Sequence, residues 1–254
     1  MQSATSQLHL GRKLVVTVRE ITYEADGLVL VGTLATPDGP GPFPGVLIGH
    51  EGPGLDDVQR GRAAEMAELG YVGFALDYHG QLSPFATREA MGERLEGLFA
   101  NPDRTRTLGL AALNVLLSEQ KVDRQRIAAI GYCFGATLAL ELGRAGADLK
   151  AIVGFRPGLT NVRPADSTNI TATVLMCVGA DDPIIPIDHR AAFEAEMRNA
   201  AVDWQMHVYG GVVHSFTHPL ASQAGIPGIA YDQRAAERSR KAMLDLFDEV
   251  FLPL

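Results

Sequence analysis

The sequence is short of cysteine, with only Cys133 and Cys177 in 254 residues. Two thiols cannot build a disulfide framework, and this usage suits a reducing cytoplasm. Basic residues are outnumbered, 22 Lys and Arg against 30 Asp and Glu, for a net charge of −8, and they form no stripe. Nucleic acid and anionic membrane surfaces are therefore not expected partners. No stretch approaches the ~20 uninterrupted apolar residues of a membrane span. The opening MQSATSQLHLG lacks the basic segment and apolar core of a signal peptide, so residues 1–12 read as a flexible polar leader. Repeats, low-complexity segments and composition breaks are also missing, which leaves residues 13–254 as one expected domain. What the chain does have is apolar material for a sizeable core, 46% of residues against 20% charged.

That material is arranged in alternating elements. Residues 13–23 and 28–33 are rich in β-branched residues and flank an Asp-Gly turn, the signature of a hairpin. Short apolar strands follow at 43–49, 71–76, 126–130, 149–154 and 172–178, with a last strand at 202–209. Helical patterns separate them at 58–69, 87–119 (broken at Asn101-Pro102), 135–144 and 188–199, and a final one covers 231–251. Residues 157–170 read as a surface loop. Strands alternating with helices imply a mostly parallel sheet with helices on both faces and an antiparallel hairpin at its start. Ligands of such sheets sit beyond the carboxyl ends of the strands, so the residues following each strand are the candidates for chemistry.

One of them is a cysteine. Residues 131–135 read GYCFG, a G-x-C-x-G directly after a strand and opening a helix. This is the nucleophile elbow with cysteine where serine is usual. The turn needs small neighbours and forces its central residue into an unfavourable backbone conformation that aims the side chain out of the sheet. The helix N-terminus favours a thiolate, because its unpaired N–H groups and dipole stabilise negative charge, and those N–H groups can also hold an oxyanion. Cys177, inside the run TATVLMCVG, reads as a buried core thiol.

A thiolate nucleophile needs a base, and the base needs an orienting group. His214 lies in VYGGVVHSFTHP, a glycine-rich loop between the last strand and last helix, and is the expected base. His218 is the rival, but Pro219 follows it. A zinc site from these two histidines lacks a third ligand, and no metal or other cofactor is implied. The acid should come from VLMCVGADDPIIP, at a strand end, where Asp182 is favoured over Asp181. Asp77 is expected to bond nearby backbone amides, and Glu51, followed by Gly52-Pro53-Gly54, to point into the cleft.

GYCFG, GADDPIIP, VDWQMHVYGGVVHSF and YDQRAAERSRKAMLDLF together resemble the dienelactone hydrolase family of α/β hydrolases, from about residue 15 to the end. The resemblance implies the α/β-hydrolase fold and a triad of Cys133, His214 and Asp182. It also implies that Glu51 holds or deprotonates the cysteine, and that the N–H groups of Phe134 and Gly52 form the oxyanion hole. Tyr78, His79, Phe134 and Phe216 are the expected pocket walls, with His50 a structural hydrogen-bonder. Members that open dienelactone clamp its carboxylate with two arginines. At the corresponding positions this chain has Gln81 and His218, while Arg156, at another strand end, could supply a cation. The expectation is thus hydrolysis of a small-molecule ester or lactone through a thioester, with neutral short-chain esters favoured. The alternatives are a true dienelactone hydrolase clamped by Arg156 and a non-catalytic binding protein on the same fold. Nothing in the sequence marks an oligomeric state.

Overall fold

The computed structural model describes residues 14–251, so the expected leader lies outside the described residues. Its centre is an eight-stranded sheet in the order β1-β2-β4-β3-β5-β6-β7-β8. The strands are β1 Val16–Ala25, β2 Leu28–Pro37, β3 Phe43–Gly49, β4 Val72–Ala75, β5 Val122–Tyr132, β6 Ala151–Phe155, β7 Thr173–Gly179 and β8 Trp204–Tyr209. The hairpin β1–β2 closes at Ala25↔Leu28 around Asp26-Gly27, and β2 runs antiparallel to β4. The other neighbours are parallel. This is the expected architecture.

The continuous apolar runs of the central strands follow from burial on both faces. On β3, Leu47 packs with helices α3 (Pro102–Ser118), α4 (Phe134–Arg144) and α5 (Ile187–Asn199) on one face. Val46 and Ile48 pack with α1 (Asp57–Glu68) and α6 (Gln233–Phe251) on the other. The expected break at Asn101 separates α2 (Arg88–Ala100) from α3. Asn101 Oδ1 accepts the N–H of Arg104 at 3.2 Å, and Pro102 opens the next helix, a position that tolerates its missing N–H.

Two expectations need correction. β5 begins at Val122, not at residue 126. Its polar first half pairs with the start of β3 through an irregularity at Pro44/Gly45, so the apolar run marks only the buried half. The stretch 157–170 is not simply a surface loop. Its turn Pro164–Asn169 carries the fully buried Ser167, whose hydroxyl donates to Glu196 on α5.

Candidate active site

Chain order reverses around β3, which lies between β4 and β5, and the crevice at such a reversal collects residues from several strand ends. Cys133 follows β5 at φ +54° and opens α4. The glycines around it are steric necessities. A Cβ on Gly131 would lie 2.1 Å from the Gly135 carbonyl oxygen, and one on Gly135 would lie 2.3 Å from the Gly49 carbonyl carbon. Hydrogen bonds from Cys133 N–H to Phe155 O (3.0 Å) and Gly135 N–H to His50 O (3.0 Å) pin the turn. Two other residues at positive φ, Arg156 and Ser215, sit beside it, so backbone strain concentrates here.

His214 is buried, and its Nδ1 is 2.7 Å from Oδ2 of the equally buried Asp182. The loop holding it is latched by His214 N–H to Gly228 O and Ala230 N–H to His214 O, both 3.0 Å. Asp182 Oδ1 accepts the N–H of Ile184 at 2.9 Å, while Asp181 faces solvent. Burial alone would lower the pKa of His214. The hydrogen bond to Asp182 and the adjacent Cys133 outweigh it and raise the imidazole to about 9. Burial would likewise raise the thiol, but the hydrogen bond and charge of His214, with the charge of Arg156, hold Cys133 below its ordinary value. The two groups push each other towards thiolate and imidazolium. Cys177 lies mid-strand, and burial pushes it up to about 12.

Glu51 follows β3 and forms an ion pair with the fully buried Arg156. Nη1 of Arg156 also lies 3.4 Å from His214 Nε2. Burial would raise the Glu51 carboxyl, but the charges of Arg156, Arg62 and His218 bring it below the usual range. Behind Glu51 and Gly52 stands a buried scaffold. His50 Nδ1–H donates to the Glu51 carbonyl at 2.6 Å. The Tyr78 hydroxyl lies 3.0 Å from the carbonyls of both His50 and Glu51, and its ring stacks on His50. His79 Nε2–H donates to Gly52 O at 2.9 Å. Asp77 accepts the N–H groups of His79, Gly80 and Val31, the backbone role expected for it.

These strand ends border a cavity of about 740 Å³ whose surface includes Glu51, Gly52, Cys133, Phe134, Arg156 and His214. His218 also borders it, tied to Asp56 at 3.1 Å. Four of the residues read as substrate-binding are placed elsewhere. Gln81 is exposed on the turn Gly80–Leu82, away from the cavity. Tyr78 and His79 lie behind the Glu51–Gly52 backbone, and Phe216 is fully buried in the core under α6. The walls that sequence reading missed are apolar. Met91, Leu95 and Phe99 of α2 line the cavity, as do Ile226 and Ile229. The spacing 91, 95, 99 is a helical stripe, and Leu95 and Phe99 also pack against the core, which is all that such a stripe ordinarily signals. Among the described residues, no group of three or more His, Cys, Asp or Glu is placed to hold a metal ion.

The family model described as "Dienelactone hydrolase family" matches residues 30–251. The chain belongs to this family. Among solved structures, this dienelactone hydrolase family member is similar to one named m3DLH. That pair is 43% identical, with TM-score 0.89, over 92% of this chain and 98% of the other. It also resembles a dienelactone hydrolase-like promiscuous phosphotriesterase from metagenomic libraries, at 38% identity and TM-score 0.88, over 94% and 99% of the two chains. A Yersinia pestis protein provisionally named a carboxymethylenebutenolidase is 24% identical over 255 residues, covering 96% of this chain and 93% of its own. The dienelactone hydrolase family and these relatives make the protein a hydrolase.

Proposed function

We propose that this hydrolase cleaves uncharged carboxylic esters and lactones through Cys133, with His214 as acid and base and Asp182 orienting the imidazole. The observation that carries the reading is the meeting, at one cavity, of a strained elbow thiol and an imidazole held at 2.7 Å by a buried carboxylate. His214 takes the proton of the thiol, while Glu51 stays ionised against Arg156 beside it. The thiolate attacks the substrate carbonyl and forms a C–S bond, while the N–H groups of Phe134 and Gly52 receive the oxyanion. The carbonyl is restored as the C–O bond breaks, and His214 hands its proton to the departing oxygen. Water then attacks the thioester, His214 takes its proton, and the C–S bond breaks to release the acid and the thiol group.

The neutral preference is supported by how the nearby cations are used. Arg156 is neutralised by Glu51, His218 is engaged by Asp56, and Gln81 is outside the cavity. Arg88 is exposed at the rim, where water screens it. A substrate carboxylate would therefore enter beside ionised Glu51 without a free buried partner, a cost of roughly several kcal/mol. The expected kcat/KM for p-nitrophenyl acetate exceeds that for dienelactone by at least about tenfold, or ~1.4 kcal/mol. Both substrates are measured on the wild type and on Arg156→Ala. Dienelactone turning over as well as the acetate, with that activity lost in Arg156→Ala, would make Arg156 a carboxylate clamp and overturn the neutral reading. An uncharged aryl phosphotriester belongs in the same panel, because the 38%-identical relative is described as a promiscuous phosphotriesterase. A reducing compartment such as the cytoplasm is supported by the two free thiols.

A further inference from the structure

The cavity has two apolar linings, one on α2 beside Gly52 and Phe134 and one beside His214, and each belongs to a different half of the proposed chemistry. In the first, a Cβ placed on Gly52 would lie 2.9 Å from Leu95 Cδ1 and 3.4 Å from Met91 Sδ, so α2 rests directly on the proposed oxyanion loop. Phe99 continues that wall, meeting Phe134 edge-to-face at 4.9 Å between centroids. In the second lining, Ile229 pairs with the backbone of His214, and Ile226 and Leu220 also border the cavity. Ile184 and Leu220 at this mouth are 52% and 51% exposed, an apolar rim open to solvent.

The imidazole must lie within hydrogen-bond reach of the departing oxygen, so the alcohol half of a substrate sits on the His214 side. The acyl half then lies opposite, under Gly52 and Phe134 and along α2. We infer that the α2 wall is an acyl-binding subsite, and that the substrates are esters or lactones with a medium-length or aromatic, uncharged acyl group rather than short-chain ones. The inference rests on the ester-hydrolase reading above and narrows it. A cavity of about 740 Å³ falls in the range that buries drug-sized ligands. An acetyl group leaves the α2 wall uncovered, whereas a longer chain removes apolar surface from water on both partners.

The test is a series of p-nitrophenyl esters from acetate to decanoate, which keeps the leaving group constant. A fully buried methylene is worth about fourfold in binding, so kcat/KM is expected to rise at least about tenfold from acetate to hexanoate. Met91→Trp fills the α2 wall and should cut the hexanoate-to-acetate ratio by about tenfold, while Ile226→Trp, in the second lining, should leave that ratio within about twofold. Leu95→Ala enlarges the same wall and should move the optimum to a longer acyl chain, which serves if the tryptophan variant does not fold. A wild-type ratio at or below one, or a ratio that responds to Ile226→Trp instead, overturns the subsite assignment while leaving ester hydrolysis standing. Failure to turn over any chain length with Cys133 in its free thiol form sinks the ester-hydrolase reading itself.

Discussion

In the proposed mechanism Asp182 acts through a single hydrogen bond to His214, and that role has a readout in pH. The proposed reactive form has a thiolate at Cys133 and a proton on His214. Activity should therefore rise through the depressed thiol pKa and fall as the imidazolium deprotonates near pH 9. In Asp182→Asn the raising hydrogen bond to a carboxylate is gone, so the alkaline limb of kcat/KM should move down towards the ordinary imidazole value of ~6.5. Turnover should drop by roughly 10³–10⁴ by analogy with serine triads. Asp181→Asn, at an exposed carboxylate, should shift neither. An alkaline limb that stays put in Asp182→Asn would assign it to a group other than His214.

The elbow joins β5 to α4 by letting three backbone segments touch. Gly135 meets the backbone at Gly49 and His50 so closely that a methyl group there has no room, with would-be contacts of 2.3 to 2.5 Å to main-chain atoms. Main chain cannot swing aside as a side chain can. Gly135→Ala should therefore cost roughly 3 kcal/mol or more in stability, at the severe end for a point change. Urea unfolding of the variant checks this, and a loss below about 1 kcal/mol would mean that the strand and helix can separate without penalty. Displacing α4 also moves the helix N-terminus from the thiol, so reactivity of Cys133 towards iodoacetamide should fall in parallel.

At the scale of the whole molecule, a buried ionic network ties the cavity to distant elements. Arg144 at the end of α4 has 1% of its side chain exposed and contacts Glu141 at 2.8 Å and Glu196 of α5 at 2.7 Å. Glu196 also accepts from Asn161 at 2.7 Å and from Ser167, which anchors the segment between β6 and β7. That segment carries Gly158, a wall of the cavity, whose carbonyl accepts from the Thr137 hydroxyl at 3.1 Å. Removing one partner leaves a buried charge poorly paired, so Glu196→Ala should lower unfolding free energy by about 3–5 kcal/mol. Chemical denaturation measures it. A variant as stable as wild type would show that Glu141 alone compensates Arg144.

Local signals alone determined much of this protein. The strand–turn–helix around GYCFG, the Asp-Gly hairpin and the Asn101-Pro102 break follow from backbone rules that act over a few residues. So does the ordering of strands and helices into an open, mostly parallel sheet. The meeting of His214 with Asp182 was legible because each follows a strand, and parallel strands deliver their ends to one edge. Four matters were decided only by tertiary structure. Arg156 meets Glu51 across β3 and β6, two strands that are not adjacent in the sheet, and no sequence spacing encodes that distance. Phe216 turned into the core and Gln81 away from the cavity, because a loop's side chains point where packing sends them. The polar loop 157–170 buries Ser167 because Arg144 and Glu196 wait beneath it. The Met91, Leu95, Phe99 stripe borders a cavity as well as the core, since helical periodicity specifies that a face is covered but not by what.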